Sequence, residues 1–299
     1  MIKLLTGQFG RFRWATLVFA VMCAACSPRH LIVQGLASEL ASQGQAPEDD
    51  LVLAREASAF YLKLSESLLR EAPGNLALAE AVAGGFTQYA YAFVQFEAER
   101  LEARDARSAQ QLRERAQALY RRAHRHAMAA LEQHSPGLLK ALSATTTTGM
   151  PPLRADQIGV AYWAAASWGG LISLSKDDPD AVADLPAAMR LAGLAYTASP
   201  EHGAGALATL MGSFEASRPG GSRTLAEKYF DEAIHLGRES HAGPLVAKAE
   251  NIALAAGNRA AFELLLQQAL RVSSTQRNLP NSVMRARALW LLENADDLF

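Results

Sequence analysis

The sequence predicts an all-α fold, an α-helical solenoid or bundle of degenerate helix pairs, and three observations predict it. Apolar residues recur at the three-to-four-residue spacing of helices through most of the 299-residue chain. No stretch alternates β-branched and polar residues as a strand does. Small residues return at fixed offsets in several helical segments, as they must where paired helices cross closely. Half the residues are apolar and a fifth are charged, the balance of a chain that buries a core.

The first element is a leader. A basic region ending Arg11-Phe12-Arg13 precedes an apolar run from Trp14 to Met22 and the small residues Ala24-Ala25, the three-part order of an export signal over residues 1–25. The run is too short to span a bilayer permanently. Cys23-Ala24-Ala25-Cys26 resembles a bacterial lipobox, with Cys23 standing where leucine is usual. That resemblance implies that Cys26 is acylated and becomes the mature N-terminus, and acyl chains at about 0.8 kcal/mol per buried methylene anchor a protein durably once there are two or three. Ser27 follows, and by the same resemblance the lack of Asp there favours the outer membrane. Cys23 and Cys26 are the only cysteines, so the mature chain has no second thiol for an internal disulfide. Losing Lys3, Arg11 and Arg13 with the leader takes the net charge from −1 to about −4. With no basic surplus to neutralise phosphates, nucleic acid is excluded as a partner.

Helices are then predicted near 30–43, 49–71, 76–101, 106–133, 157–175, 180–198, 203–216, 223–238, 244–256, 259–272 and 281–294, alternating with short stretches of Pro, Gly, Asn and Ser. Loops are predicted at Gln43 to Asp50, Ala144 to Leu153 and Ser217 to Ser222. The second is the longest, with Thr145 to Thr148 and Gly149-Met150-Pro151-Pro152. It reads as a crossover near 144–153 inside a single helical domain, 26–299, because neither flanking half has a composition of its own.

The small-residue offsets match the second helix of a tetratricopeptide repeat, in which a small residue is followed four on by a filler, three later by another small residue and five beyond by Pro. Ala188, Ala192, Ala195 and Pro200 fall on that spacing, as do Ala226, Phe230 and Ala233. Ala123, Ala127 and Ala130 match, with Pro136 one residue late. Ala261 and Leu265 begin a weaker copy, 35 residues after Ala226. The first-helix signature of Trp, Leu, Gly and Tyr is missing, so the copies are degenerate.

From Ile158 to Ser175 no residue is charged. The length touches that of a membrane span, but Gly159, Ser167, Gly169, Gly170, Ser173 and Ser175 make it only moderately apolar, so it reads as the buried centre of the array. Tyr162, Trp163, Ser167 and Trp168 lie on it, while Phe86, Tyr89, Tyr91 and Phe93 crowd an earlier helix. Either set is core packing or the wall of an apolar tunnel in which a hydroxyl and an indole N–H orient a ligand. Trp163 and Ser167, four apart, share a face and are the pair favoured to border such a tunnel.

Catalytic and metal constellations are not found. His124 and His126 are turned about 200° apart on a helix and cannot share a metal; beside Arg121, Arg122 and Arg125 they read as a solvated basic face. Glu201-His202 reads as turn chemistry at a helix start. Asp177-Asp178-Pro179-Asp180 lacks the spaced ligands and closing Glu of a calcium loop and reads as a cap. No HExxH, phosphate-binding glycine loop or nucleophile elbow occurs. The expectation is a non-enzymatic protein without cofactor or metal.

Three segments carry a wider likeness: Tyr162-Trp163-Ala164-Ala165-Ala166-Ser167-Trp168-Gly169 with Leu171-Ile172-Ser173-Leu174-Ser175-Lys176-Asp177, Ala226-Glu227-Lys228-Tyr229-Phe230-Asp231-Glu232-Ala233, and Arg285-Ala286-Arg287-Ala288-Leu289-Trp290-Leu291-Leu292. From the lipobox to Phe299 the chain resembles the T-components (TatT) of TRAP transporters, the tripartite ATP-independent periplasmic systems. The resemblance implies a periplasmic lipoprotein of cryptic tetratricopeptide repeats, a homotrimer with an apolar pore through each subunit, working beside the solute-binding P component. The function so implied is to dock that protein and pass a small apolar or carboxylate ligand. The alternative is a general scaffold for envelope complexes with no ligand; permease and solute-binding genes in the neighbourhood would favour transport.

Overall fold

A computed structural model describes residues 50–144, 150–238 and 240–299; the leader, Cys26 and the helix expected near 30–43 lie outside them. Among the described residues every regular element is helical. Helix α1 (Leu51–Glu71) starts where the Asp50 carboxylate accepts from the backbone N–H groups of Val52 and Leu53, both at 3.0 Å, which satisfies donors that a helix start leaves unpaired. Asn75 caps α2 (Leu76–Tyr89), which runs through a wider π turn, Ala90–Gln95, into α3 (Phe96–Leu101). Asp105 caps α4 (Ala106–His134). The short α5 (Leu138–Ser143) follows, then α6 (Ile158–Ser173), α7 (Pro179–Ala183), α8 (Leu185–Ala198) and α9 (Ala206–Ser217). Ser222 caps α10 (Arg223–Gly237); α11 (Gly243–Lys248) continues into a second π turn, Ala249–Ala253; α12 (Arg259–Thr275), α13 (Leu279–Glu293) and α14 (Ala295–Leu298) end the chain.

The helices fall close to the predicted spans, with local departures. The single helix expected over 180–198 is broken at Asp184, because Pro186 has no N–H to give and its ring crowds the preceding turn. Helix α5 was not foreseen: six residues are too few to show a period, yet Leu138 and Leu142 are completely buried. The acidic run after α6 is cap chemistry, the Asp178 carboxylate accepting from the N–H of Asp180 at 3.0 Å.

The repeat spacing places the helix crossings. Ala123, Ala127 and Ala130 on α4, Ala188, Ala192 and Ala195 on α8, and Ala226, Phe230 and Ala233 on α10 are all buried. Each of these helices backs onto an earlier one, α4 on α2, α8 on α6 and α10 on α9. The fourth copy sits one residue later than its spacing suggests: Phe262, Leu266 and Ala269 are the buried positions on α12, while Ala261 and Leu265 are only partly covered. At the α9–α10 crossing Gly205 has φ +99° and lies so close to Ala233 that a Cβ would stand 2.6 Å from that residue's carbonyl oxygen. Ala233→Leu should therefore overpack the crossing and cost about 1–3 kcal/mol. Urea unfolding compared with exposed Lys228→Gln checks this, and equal midpoints would remove Ala233 from the contact.

The apolar core runs unbroken from Ala54 on α1 to Phe214 on α9, on both sides of residues 144–153. A second cluster fills α11 to α13, and Ala226, Phe230 and Ile252 make a small third one between them. The array then returns on itself: α13 rests against α1, Leu279 packs on the first core, and the Trp290 ring meets Phe96 of α3 edge-on at 5.7 Å.

Helix α6 is covered by α2, α4 and α8, which is why it is apolar all round. Its 16 residues rise about 24 Å, short of a bilayer's ~30 Å core, and no helix among the described residues is long and apolar enough to cross a membrane. The basic face expected on α4 is corrected. Arg121 and Arg125 are exposed, but Arg122 is bonded to the buried Glu66 of α1, as is His126 at 2.9 Å, and His126 stacks on Phe86. Burial alone would raise the Glu66 carboxyl; the bonds from Arg122, Lys63 and His126 outweigh it and hold it well below the ordinary range. His124 turns the other way, its Nδ1 3.2 Å from the Ala164 carbonyl oxygen.

Candidate functional site

Two glycines let α2 and α6 approach closely. At Gly84 a Cβ would stand 2.8 Å from the Trp163 indole, and at Gly159 it would collide with the Glu80 carboxylate. Trp163 therefore lies over Gly84 and Glu80 over Gly159, one helical turn apart on both helices. The Tyr162 ring meets Trp163 edge-on at 4.7 Å and stands 5.9 Å from the His202 ring. His202 belongs to a tight turn, His202–Ala204, in which Gly203 and Ala204 both have positive φ. Burial lowers the imidazole's proton affinity against the opposing pull of Glu201.

Each polar side-chain atom sealed from solvent among the described residues has a hydrogen-bond partner. The Glu80 carboxylate, the Tyr162 hydroxyl and the Trp163 Nε1 have none among those residues, so none of the three is fully sealed from solvent. All three residues are half-buried, and burial pushes the Tyr162 hydroxyl up to about 12 and raises the Glu80 carboxyl above its ordinary range.

Ser167 and Trp168 face elsewhere. The Ser167 hydroxyl is fully buried and donates to the Trp163 carbonyl oxygen at 2.7 Å, so it is spent inside its own helix. The Trp168 Nε1 donates to Asp184 at 3.2 Å, and its ring lies 4.4 Å from that of His124. The structure thus brings Tyr162 and Trp163 together with Glu80, which sequence reasoning missed. Its signal was faint: Glu80 is the lone acid in the apolar run from Leu76 to Tyr89.

A second polar cluster lies beyond the end of α2, at the first π turn and α3. Arg287 of α13, 7% exposed, donates from Nε and Nη2 to Glu250 at 2.9 and 2.6 Å and from Nη1 to Glu99 at 2.8 Å. Its guanidinium covers the rings of Tyr91 and Phe96 at 5.5 and 5.4 Å. The network continues through Gln95, which donates to Glu99 at 3.1 Å and accepts from the Tyr120 hydroxyl at 2.7 Å. Both π turns contribute, Tyr91 and Gln95 from the first and Glu250 from the second; such turns re-aim side chains that a regular helix would send elsewhere. The Tyr91 hydroxyl, raised by burial against the pull of Arg287, has no partner among the described residues and is likewise not fully sealed from solvent. Phe86, Tyr89 and Phe93 are core.

Elsewhere an open groove of about 610 Å³ at the α1–α2 turn is lined by Pro73, Asn75, Gln133, His134 and Asp156 among others, with no convergent chemistry. No group of three His, Cys, Asp or Glu side chains among the described residues is placed to hold a metal.

The sequence pattern of the TRAP transporter T-component (TAtT) family matches residues 47–299. The chain belongs to that family. The T-component family is an accessory of transport, not a family of enzymes, and membership in a TRAP system implies transporter partners. This T-component is also 25% identical over 306 residues to an uncharacterized protein of Treponema pallidum (strain Nichols), with 93% of this chain and 94% of that one covered.

Proposed function

We propose that this T-component is a periplasmic lipoprotein, held on the outer membrane through Cys26, that docks the solute-binding P component and passes a small, partly apolar ligand along its interior. The observation that carries the ligand role is the set of unpartnered, incompletely sealed polar atoms on Glu80, Tyr162 and Trp163, beside the close approach of two helices. An apolar wall with a few oriented polar groups is what a small-molecule site requires. The family supports the partner, and the homotrimer is part of the same reading. Titration with medium-chain apolar compounds, followed by tryptophan fluorescence in the parent, Trp163→Phe and Trp168→Phe, tests the passage. The expected change is lost with Trp163 and kept without Trp168. If no compound perturbs any tryptophan, the protein is a scaffold without ligand.

The anchor has its own test. Cys26→Ser should move the protein from the membrane pellet to the soluble fraction or leave it unprocessed, as fractionation and mass measurement will read. A variant processed normally that still pellets would overturn the lipid anchor.

A further inference from the structure

We infer that Glu80, Tyr162 and Trp163 form a subsite for the cationic end of an amphiphilic ligand, an ammonium or quaternary ammonium group. This rests on the reading that the interior takes a small ligand, and it names that ligand's class.

A carboxylate removed from bulk water is costly unless paired with a cation or hydrogen-bonded. Glu80 has neither among the described residues, although α2 and α6 close around it and its oxygens remain accessible. One helical turn along, on the same pair of helices, two electron-rich rings meet edge-on. A carboxylate beside tyrosine and tryptophan is the donor set that takes an ammonium group: the acid supplies charge and the ring faces supply their quadrupoles. Room for both is made by the missing side chains at Gly159 and Gly84.

The alternative head group, a carboxylate, finds no fixed cation there among the described residues, and burial holds the His202 imidazole beside Tyr162 toward its neutral form. The cation beyond the end of α2, Arg287 of α13, is already held by Glu99 and Glu250, so that cluster carries a net negative charge as well. A ligand acid would meet one unpaired carboxylate at Glu80 and one in excess at Arg287. An ammonium head is attracted at both.

The test uses the mature chain carrying Cys26→Ser, which removes the lipid and leaves the helical body whole. Three ten-carbon probes are titrated below their micelle concentrations: decyltrimethylammonium, decanol and decanoate. The ammonium probe should bind tightest, and Glu80→Gln, which keeps the side chain's shape, should weaken it by about tenfold or more while leaving decanol unchanged. Trp163→Phe should weaken the ammonium probe more than decanol. Equal loss of both probes in Glu80→Gln would mean a damaged fold and overturn the assignment. Unchanged ammonium affinity in that variant, or tighter binding of decanoate than of decyltrimethylammonium by the parent, overturns the cationic subsite and leaves the passage standing. Failure of all three probes to bind overturns subsite and passage together.

Discussion

Arg287→Ala is expected to destabilise the protein by about 3–5 kcal/mol, because it leaves Glu99 and Glu250 facing each other's charge in a largely covered site with no cation between them. Removing one partner of a buried ion pair costs far more than removing the whole group, since the uncompensated charge must be either solvated or protonated in place. The triple variant Arg287→Met, Glu99→Gln, Glu250→Gln should therefore recover most of the loss, although it has fewer ionic contacts than the single variant. Denaturant unfolding of the two variants measures both. A single variant within about 0.5 kcal/mol of the parent, the ordinary range of surface substitutions, would show that the cluster contributes nothing to stability.

Phe230→Ala is expected to cost a similar amount, about 3–5 kcal/mol. Phe230 is completely buried, and its ring lies against Gly212 of α9, where a Cβ would stand 3.1 Å from it. Deleting the ring removes its apolar burial and leaves a void between two helices whose backbones already touch at Gly205 and Ala233, so they cannot close further. Gly212→Ala places a methyl group into that void. It should be more favourable in the Phe230→Ala background than in the parent, and the difference is the coupling between the two sites. Additive effects would mean that the ring and the glycine do not share the crossing.

Helix class and most helix spans were legible because each depends on local spacing. So was the crossing at Ala226, Phe230 and Ala233, where small and large residues alternate without competitors. On α12 the register was ambiguous: Leu264, Leu265 and Leu266 are consecutive, and only packing decides that Leu266 faces inward while Leu264 is exposed. The basic run on α4 misled for a related reason. Arg122 and His126 read as solvated beside Arg121 and Arg125, and nothing local announces Glu66, whose burial comes from helices far away in sequence. The candidate site was half legible. Tyr162 and Trp163 stood out where charges stop, but adjacent residues point about 100° apart, and the sequence could not say that Trp163 lies over Gly84 of α2 while Tyr162 turns toward His202. Ser167 shares a face with Trp163, yet its hydroxyl bonds back to the helix, an outcome that periodicity does not encode. The Arg287 cluster was invisible, since its partner Glu99 is 188 residues away and two π turns, which no propensity marks, aim the groups together.

The contact between α13 and the first helices changes how the molecule comes apart. A linear stack of helix pairs frays from its ends, because each pair leans only on its neighbours and the terminal ones have a single neighbour. Here, among the described residues, the last helices of the stack are tied to the first by Trp290 on Phe96 and Arg287 on Glu99, so neither end leans on a single neighbour. Opening any one joint leaves the loop still closed elsewhere, and the chain must break the tie before it can uncoil. The consequence is that local openings are held in check by that closure and not only by the strength of any single pair.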